Sequence, residues 1–139
     1  MENLLTGIMT QLSASTLFTY VGGRVYLDNY PEDETPPVFP HVIFSIVSST
    51  PQKTFSEDYS NTTIQVSLYS ASASMIEITA MHGYLETALD EVSLTITGST
   101  LVWIKETNMM TLIEEATVLN GTTKIKHWAV DFEVLTSLN

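Results

Sequence analysis

The sequence predicts an α+β fold: a mainly antiparallel β-sheet packed on one face by an N-terminal helix and a central helix, with a long loop between two central strands. Three observations carry this. Residues 41–49 (HVIFSIVSS) and 62–70 (TTIQVSLYS) alternate apolar and polar side chains, with Val42, Phe44 and Ile46 in the first and Ile64, Val66 and Leu68 in the second. That period, in β-branched and aromatic residues, marks strands with one buried face. Apolar residues also recur at helical spacing near the N-terminus and again over 73–90, so each stretch has one apolar stripe. The segment joining the two strands, TPQKTFSEDYSN, is too long for a tight turn and too polar for a core.

Taken in order, residues 2–14 form an amphipathic helix through Leu4, Leu5, Ile8, Met9 and Leu12. Residues 16–21 add a helical turn that Gly22-Gly23 stops, because glycine accepts the left-handed conformation that ends helices. Residues 24–27 are a short strand. Residues 28–40 (DNYPEDETPPVFP) hold four prolines, which fix the chain and remove backbone donors. Glu32-Asp33-Glu34 keeps this connection in water. After the two central strands, Ser70-Ala71-Ser72 offers helix caps. The main helix spans 73–90, with a stripe of Met75, Ile78, Met81, Leu85, Ala88 and Leu89, and His82 at its border. Strands follow at 92–97 and 101–106, and Thr107-Asn108-Met109 breaks the pattern. A final pair runs over 111–118 and 123–135 around Asn120-Gly121, a favoured dipeptide for a hairpin turn. In the last strand Trp128, Val130, Phe132 and Val134 share the core face. Ile125, His127, Ala129, Asp131 and Glu133 share the other, which is expected to meet water or a neighbouring subunit.

A chain of 139 residues makes one domain, 1–139, with enough surface to bury a core without staples. It has no cysteine, which excludes disulfides, thiolate catalysis and Cys-ligated metals. Five Lys+Arg against sixteen Asp+Glu leave a net charge of -11. Phosphate binding needs clustered cations, so specific nucleic-acid binding is not expected. The N-terminus lacks a basic, apolar signal sequence, and no stretch approaches the ~20 apolar residues of a membrane span.

No catalytic or metal site is legible, and no cofactor is implied. His41, His82 and His127 stand apart in sequence. His82 with Glu86, and His127 with Asp131, could each supply two metal ligands, but sequence places no third beside them. There is no Gly-rich phosphate loop and no nucleophile elbow. Glu114-Glu115 cannot converge, since neighbours on a strand point to opposite faces. Binding and assembly remain. The arm around Lys53, Phe55, Glu57, Asp58 and Tyr59, with two aromatics in a polar setting, is the candidate contact surface with a partner.

The order of the segments resembles the small tail-terminator, or tail-completion, proteins of long-tailed bacteriophages. The matching words are the N-terminal helix, Val21-Gly22-Gly23-Arg24-Val25-Tyr26, and Phe39-Pro40-His41-Val42-Ile43 after a Pro-rich stretch. They continue with Ser48-Ser49 and a polar loop, and then residues 62–70 and a helix. The closing strand is centred on His127-Trp128-Ala129-Val130-Asp131-Phe132. The sequence departs from the family in its acidity and in its longer connection over 28–37.

The resemblance implies a virion protein, assembled in the host bacterial cytoplasm, that forms a homo-oligomeric ring, commonly a hexamer. The ring caps the tail tube, stops its polymerisation and meets a head-completion or neck protein. DNA passes through the hole without specific binding, and an acidic lumen would not retain its phosphates. Glu114, Glu115, Asp131 and Glu133 are the lumen candidates, from their places on the terminal hairpin. The alternatives are a head-completion, neck or tail-tube subunit, an acidic mimic of DNA that inhibits an enzyme, or a small-molecule binder with an unrecognised site.

Overall fold

Apolar side chains at every second position of three adjacent strands, together with two helical stripes, make the core. The computed structural model describes residues 2–29, 38–53, 58–118 and 121–138, with side chains at all of these except 115–118, 121–123 and 138. Among the described residues the elements are helices α1 (Glu2–Ser13), α2 (Thr16–Tyr20) and α3 (Ile76–Leu89). The strands are β1 (Val25–Leu27), β2 (His41–Lys53), β3 (Asp58–Ser70), β4 (Thr95–Ile96), β5 (Ser99–Val118) and β6 (Gly121–Leu138). They form one sheet in the order β1-β2-β3-β6-β5-β4. β1 runs parallel to β2, and the other neighbours are antiparallel.

One face of the sheet is covered by helices. Phe44, Ile64, Val66, Leu68, Val130, Phe132 and Val134 are buried with Leu4, Ile8 and Leu12 of α1 and Ile78, Met81, Leu85 and Leu89 of α3. These are the residues that the two periodicities single out. Gly22 and Gly23 both have positive φ (64° and 80°), and Gly23 N–H donates to the Phe18 carbonyl at 2.8 Å, closing the end of α2. A side chain at either position would be strained.

Four boundaries differ from the sequence reading, each for a physical reason. The segment expected as a long loop is mostly ladder: Thr50 pairs with Asn61, Gln52 with Tyr59 and Lys53 with Asp58. Polar strands are stable there because β6 flanks β3, with Asn61 opposite Leu135 and Tyr59 opposite Ser137. The two strands expected over 101–118 are a single strand, β5. The break at 107–109 is a bulge between Glu106 and Asn108, which inserts one residue and bends the strand without ending it. The main helix starts at Ile76, later than the serines suggested. Ser70, Ser72 and Ser74 each accept a backbone N–H two residues on (3.2, 3.3 and 3.1 Å), so they shape successive turns ahead of the helix. Finally, the strand expected over 92–97 shrinks to Thr95–Ile96 because α1 shoulders it. Asn3 donates to the Thr97 carbonyl at 2.9 Å, and a Cβ at Gly7 would stand 3.2 Å from the Thr95 carbonyl. The connection over 30–37, including Glu32, Asp33 and Glu34, lies outside the described residues.

Candidate assembly surfaces

Two hairpins lie at opposite ends of the sheet. At one end β2 and β3 run to Lys53 and Asp58, which face each other and are both exposed, with β6 alongside β3 as far as Tyr59. Tyr59 is half-buried beside them, while Phe55 and Glu57 lie outside the described residues. At the other end β3 stops at Ser70, opposite Lys126. β5 and β6 continue beyond it, pairing Glu114 with Ile125 and Val118 with Gly121. Lys126 ties the base of this second hairpin to the body by donating to the Ser72 carbonyl at 2.6 Å. The turn expected around Asn120 lies outside the described residues.

The apolar content of the second hairpin is not consumed by the fold. Met109, Met110, Leu112 and Ile113 are 37, 53, 37 and 75% exposed. Successive strand residues point to opposite faces, so the apolar surface lies on both sides of the strand. Exposed apolar side chains gathered on one element mark a contact surface more than scattered ones do. Residue by residue this signal was visible in the sequence as TNMMTLI, but its exposure was not.

The sheet face away from the helices carries acids and an aromatic stack. Asp131 and Glu133 lie on it, as their alternation in β6 requires. Gln65 donates to Asp131 at 3.2 Å and Asn61 to Glu133 at 3.0 Å, so neutral amides orient both carboxylates. Glu114 is on the same face and accepts from His127 Nδ1 at 3.1 Å. The backbone of Glu115 pairs with Lys124, and its side chain is outside the described set. Three of the four lumen candidates are therefore brought to one face.

This face is drier than expected at its β6 end, where Ile125, His127 and Ala129 are buried within the monomer. Phe39, His41, Tyr69 and His127 stack in a row across β2, β3 and β6, with ring centroids 4.8, 4.7 and 4.3 Å apart. His41 Nδ1 donates to the Val38 carbonyl at 3.0 Å. Burial lowers the His41 pKa to about 4, aided by the Arg24 and His127 charges and opposed by that hydrogen bond. Burial and the Glu114 carboxylate raise the Tyr69 phenol. With Nδ1 hydrogen-bonded to Glu114, His127 keeps a buried Nε2 that has no hydrogen-bond partner among the described residues.

Tertiary structure also adds the third member that sequence could not place beside His82 and Glu86. Glu106 of β5 accepts from His82 Nε2 at 2.9 Å, and Glu86 lies 3.6 Å from Nδ1. The three groups lie within 4.8 Å of one another and are of a kind that can hold a divalent cation. Glu86 stands beyond hydrogen-bond distance, so the bond between His82 and Glu106 is what fastens α3 to the edge of β5. No other such group occurs among the described residues, and no helix is long and apolar enough to cross a membrane.

A projecting hairpin that carries exposed apolar residues is a feature of a protein that works by joining others. The chain belongs to the tail completion protein gp17 family, whose model matches residues 6–137. This is the family that the order of sequence words resembles, and it makes the protein a structural component of a phage-type tail. The fold is similar to that of a chain in the solved structure "Virion of native gene transfer agent (GTA) particle". The TM-score is 0.73 at 18% identity, covering 96% of this chain and 94% of that one. No curated protein matches the sequence.

Proposed function

We propose that the protein forms a ring, commonly of six copies, that caps the tail tube, ends its polymerisation and offers its other side to the head or neck. The observation that carries this reading is the β5–β6 hairpin, which runs past the end of β3 at one end of the sheet while the β2–β3 turn lies at the other. A subunit of that shape can meet its neighbours around the ring and still reach material above and below it. Membership of the tail completion family supports the place in the virion.

In this reading the sheet face bearing Glu114, Asp131 and Glu133 lines the hole, with Glu115 on the same hairpin. Anionic walls repel passing phosphates, so DNA moves through without specific binding. The arm at Lys53, Phe55, Glu57, Asp58 and Tyr59 contacts the tube or an adjoining subunit. No cofactor and no catalytic step enters.

Growing tail tubes mixed with purified protein should stop lengthening and carry a ring-shaped cap. Tubes that grow unhindered at saturating protein would overturn the reading. Long tubes made of this protein alone would move it to the tube-subunit alternative.

A further inference from the structure

His82, Glu86 and Glu106 come from two elements and meet at one seam. His82 and Glu86 are one turn apart on α3, and Glu106 stands on β5 at the start of its bulge. Two of the three are held in place by further contacts. The Trp128 ring meets the His82 imidazole edge-on, with centroids 5.9 Å apart and planes at 73°. Glu106 N–H donates to Asp90 Oδ1 at 2.8 Å, which ties its backbone to the end of α3.

The two ring nitrogens of His82 have different roles. An ionised carboxylate only accepts, so the 2.9 Å contact with Glu106 puts a proton on Nε2. In the neutral ring Nδ1 is then a bare lone pair, and it faces Glu86 Oε1 across 3.6 Å. That gap is too wide for a hydrogen bond. It suits two ligands of one ion: bonds of roughly 2.0–2.2 Å at the tetrahedral angle put neighbouring donor atoms about 3.3–3.6 Å apart. Charge points the same way. Both carboxylates share one imidazole, and among the described residues neither pairs with a lysine or arginine. The Glu86 side chain is 45% exposed, so an ion can enter from solvent.

We propose that this seam binds a divalent transition-metal ion such as Zn²⁺, with His82 Nδ1 and Glu86 as ligands and water in the remaining positions. Glu106 is the positioning residue: it fixes the tautomer and the ring, as carboxylates behind metal-bound histidines do. An imidazole ligand selects Zn²⁺, Ni²⁺ or Co²⁺ over Mg²⁺ and Ca²⁺, which prefer oxygen. A bound ion also polarises Nε2–H and strengthens its bond to Glu106, so occupancy tightens α3 against β5 where that strand bends. The site stands apart from tube capping and does not rest on the ring reading.

Zn²⁺ titrated calorimetrically into EDTA-treated, dialysed protein should bind one ion per chain and raise the Tm, and EDTA should reverse both effects. Glu86→Gln, at an exposed position, should remove the binding, as should His82→Asn. Glu106→Gln should keep the stoichiometry and weaken the affinity about tenfold. His127→Gln, which breaks the other His–Glu pair, should leave binding unchanged. As a second measurement, Trp103→Phe leaves Trp128 as the one tryptophan, and Co²⁺ should quench its emission unless Glu86→Gln is also present. A wild-type chain that gives neither binding heat nor quenching would overturn the site. So would Zn²⁺ binding that survives Glu86→Gln, or Mg²⁺ that competes as well as Co²⁺. Binding abolished by Glu106→Gln but kept by Glu86→Gln would overturn the assignment of the ligands.

Discussion

His41 shows how one buried side chain links stability to pH. It opens β2 inside an aromatic stack and is 4% exposed. Its pKa falls from the ordinary 6.5 to about 4, so below pH 6.5 the unfolded chain takes up the proton first. The stability tied to neutral His41 is complete above pH 6.5 and is lost as the pH falls towards 4. The gap corresponds to about 3 kcal/mol. His41→Phe should keep the stack, lose the bond to Val38 at about 1 kcal/mol at every pH, and flatten the decline in Tm between pH 7 and 4.5. An unchanged slope in thermal melts would show that His41 does not carry the acid sensitivity. Tyr69 acts at the other extreme. Its raised pKa means that the unfolded chain ionises first, so stability falls as the pH rises through 10.

Helices and strands solve their conflicts locally. Gly83 lies inside α3, and a Cβ there would meet nothing within 4 Å. Gly83→Ala should therefore stabilise the protein by about 0.5–1 kcal/mol, read as a rise in Tm or in the denaturant midpoint. Gly7 in α1 faces a different constraint, since its Cβ would press on the Thr95 carbonyl at 3.2 Å. Gly7→Ala should gain less than Gly83→Ala or lose stability, and an equal gain would mean that β4 yields freely. At Phe132, fully buried at the centre of β6, truncation to Ala should cost about 3–5 kcal/mol in chemical denaturation. The long strand β5 survives its polar break because a bulge absorbs one residue while both flanking registers to β6 persist.

For the whole molecule, charge and apolar contact oppose each other. In the proposed ring every copy would bring a net charge of -11 close to its neighbours. Raising the salt from about 20 to about 200 mM shortens the screening length to below about 10 Å. It should lower the concentration at which the protein assembles, as measured by light scattering. Assembly that weakens with salt would mean that ion pairs, and not apolar surfaces, hold the copies together. Phe55→Ala with Tyr59→Ala should weaken tube capping if the β2–β3 arm is a contact surface. Unchanged capping by the double variant would remove the arm from the interface.

The local signals were determined by sequence alone. Period-two alternation placed Val42, Phe44, Ile64, Val66, Leu68, Val130 and Phe132 on the core face, and helical spacing placed Ile8, Leu12, Ile78, Met81 and Leu85 against them. Periodicity is a property of neighbours in the chain, so it is legible without the fold. The placing of Asp131 and Glu133 on one face follows from the same alternation, whereas Glu114 joins them through the pairing of β5 with β6. Only the tertiary structure decided which strands pair and how far their ladders run, because polar residues such as 50–53 and 58–61 form strand only where a partner satisfies their backbone. It alone brought Glu106 to His82 across 24 residues, and drew Phe39, His41, Tyr69 and His127 into one stack. Contacts between distant residues depend on strand order, which no local pattern encodes.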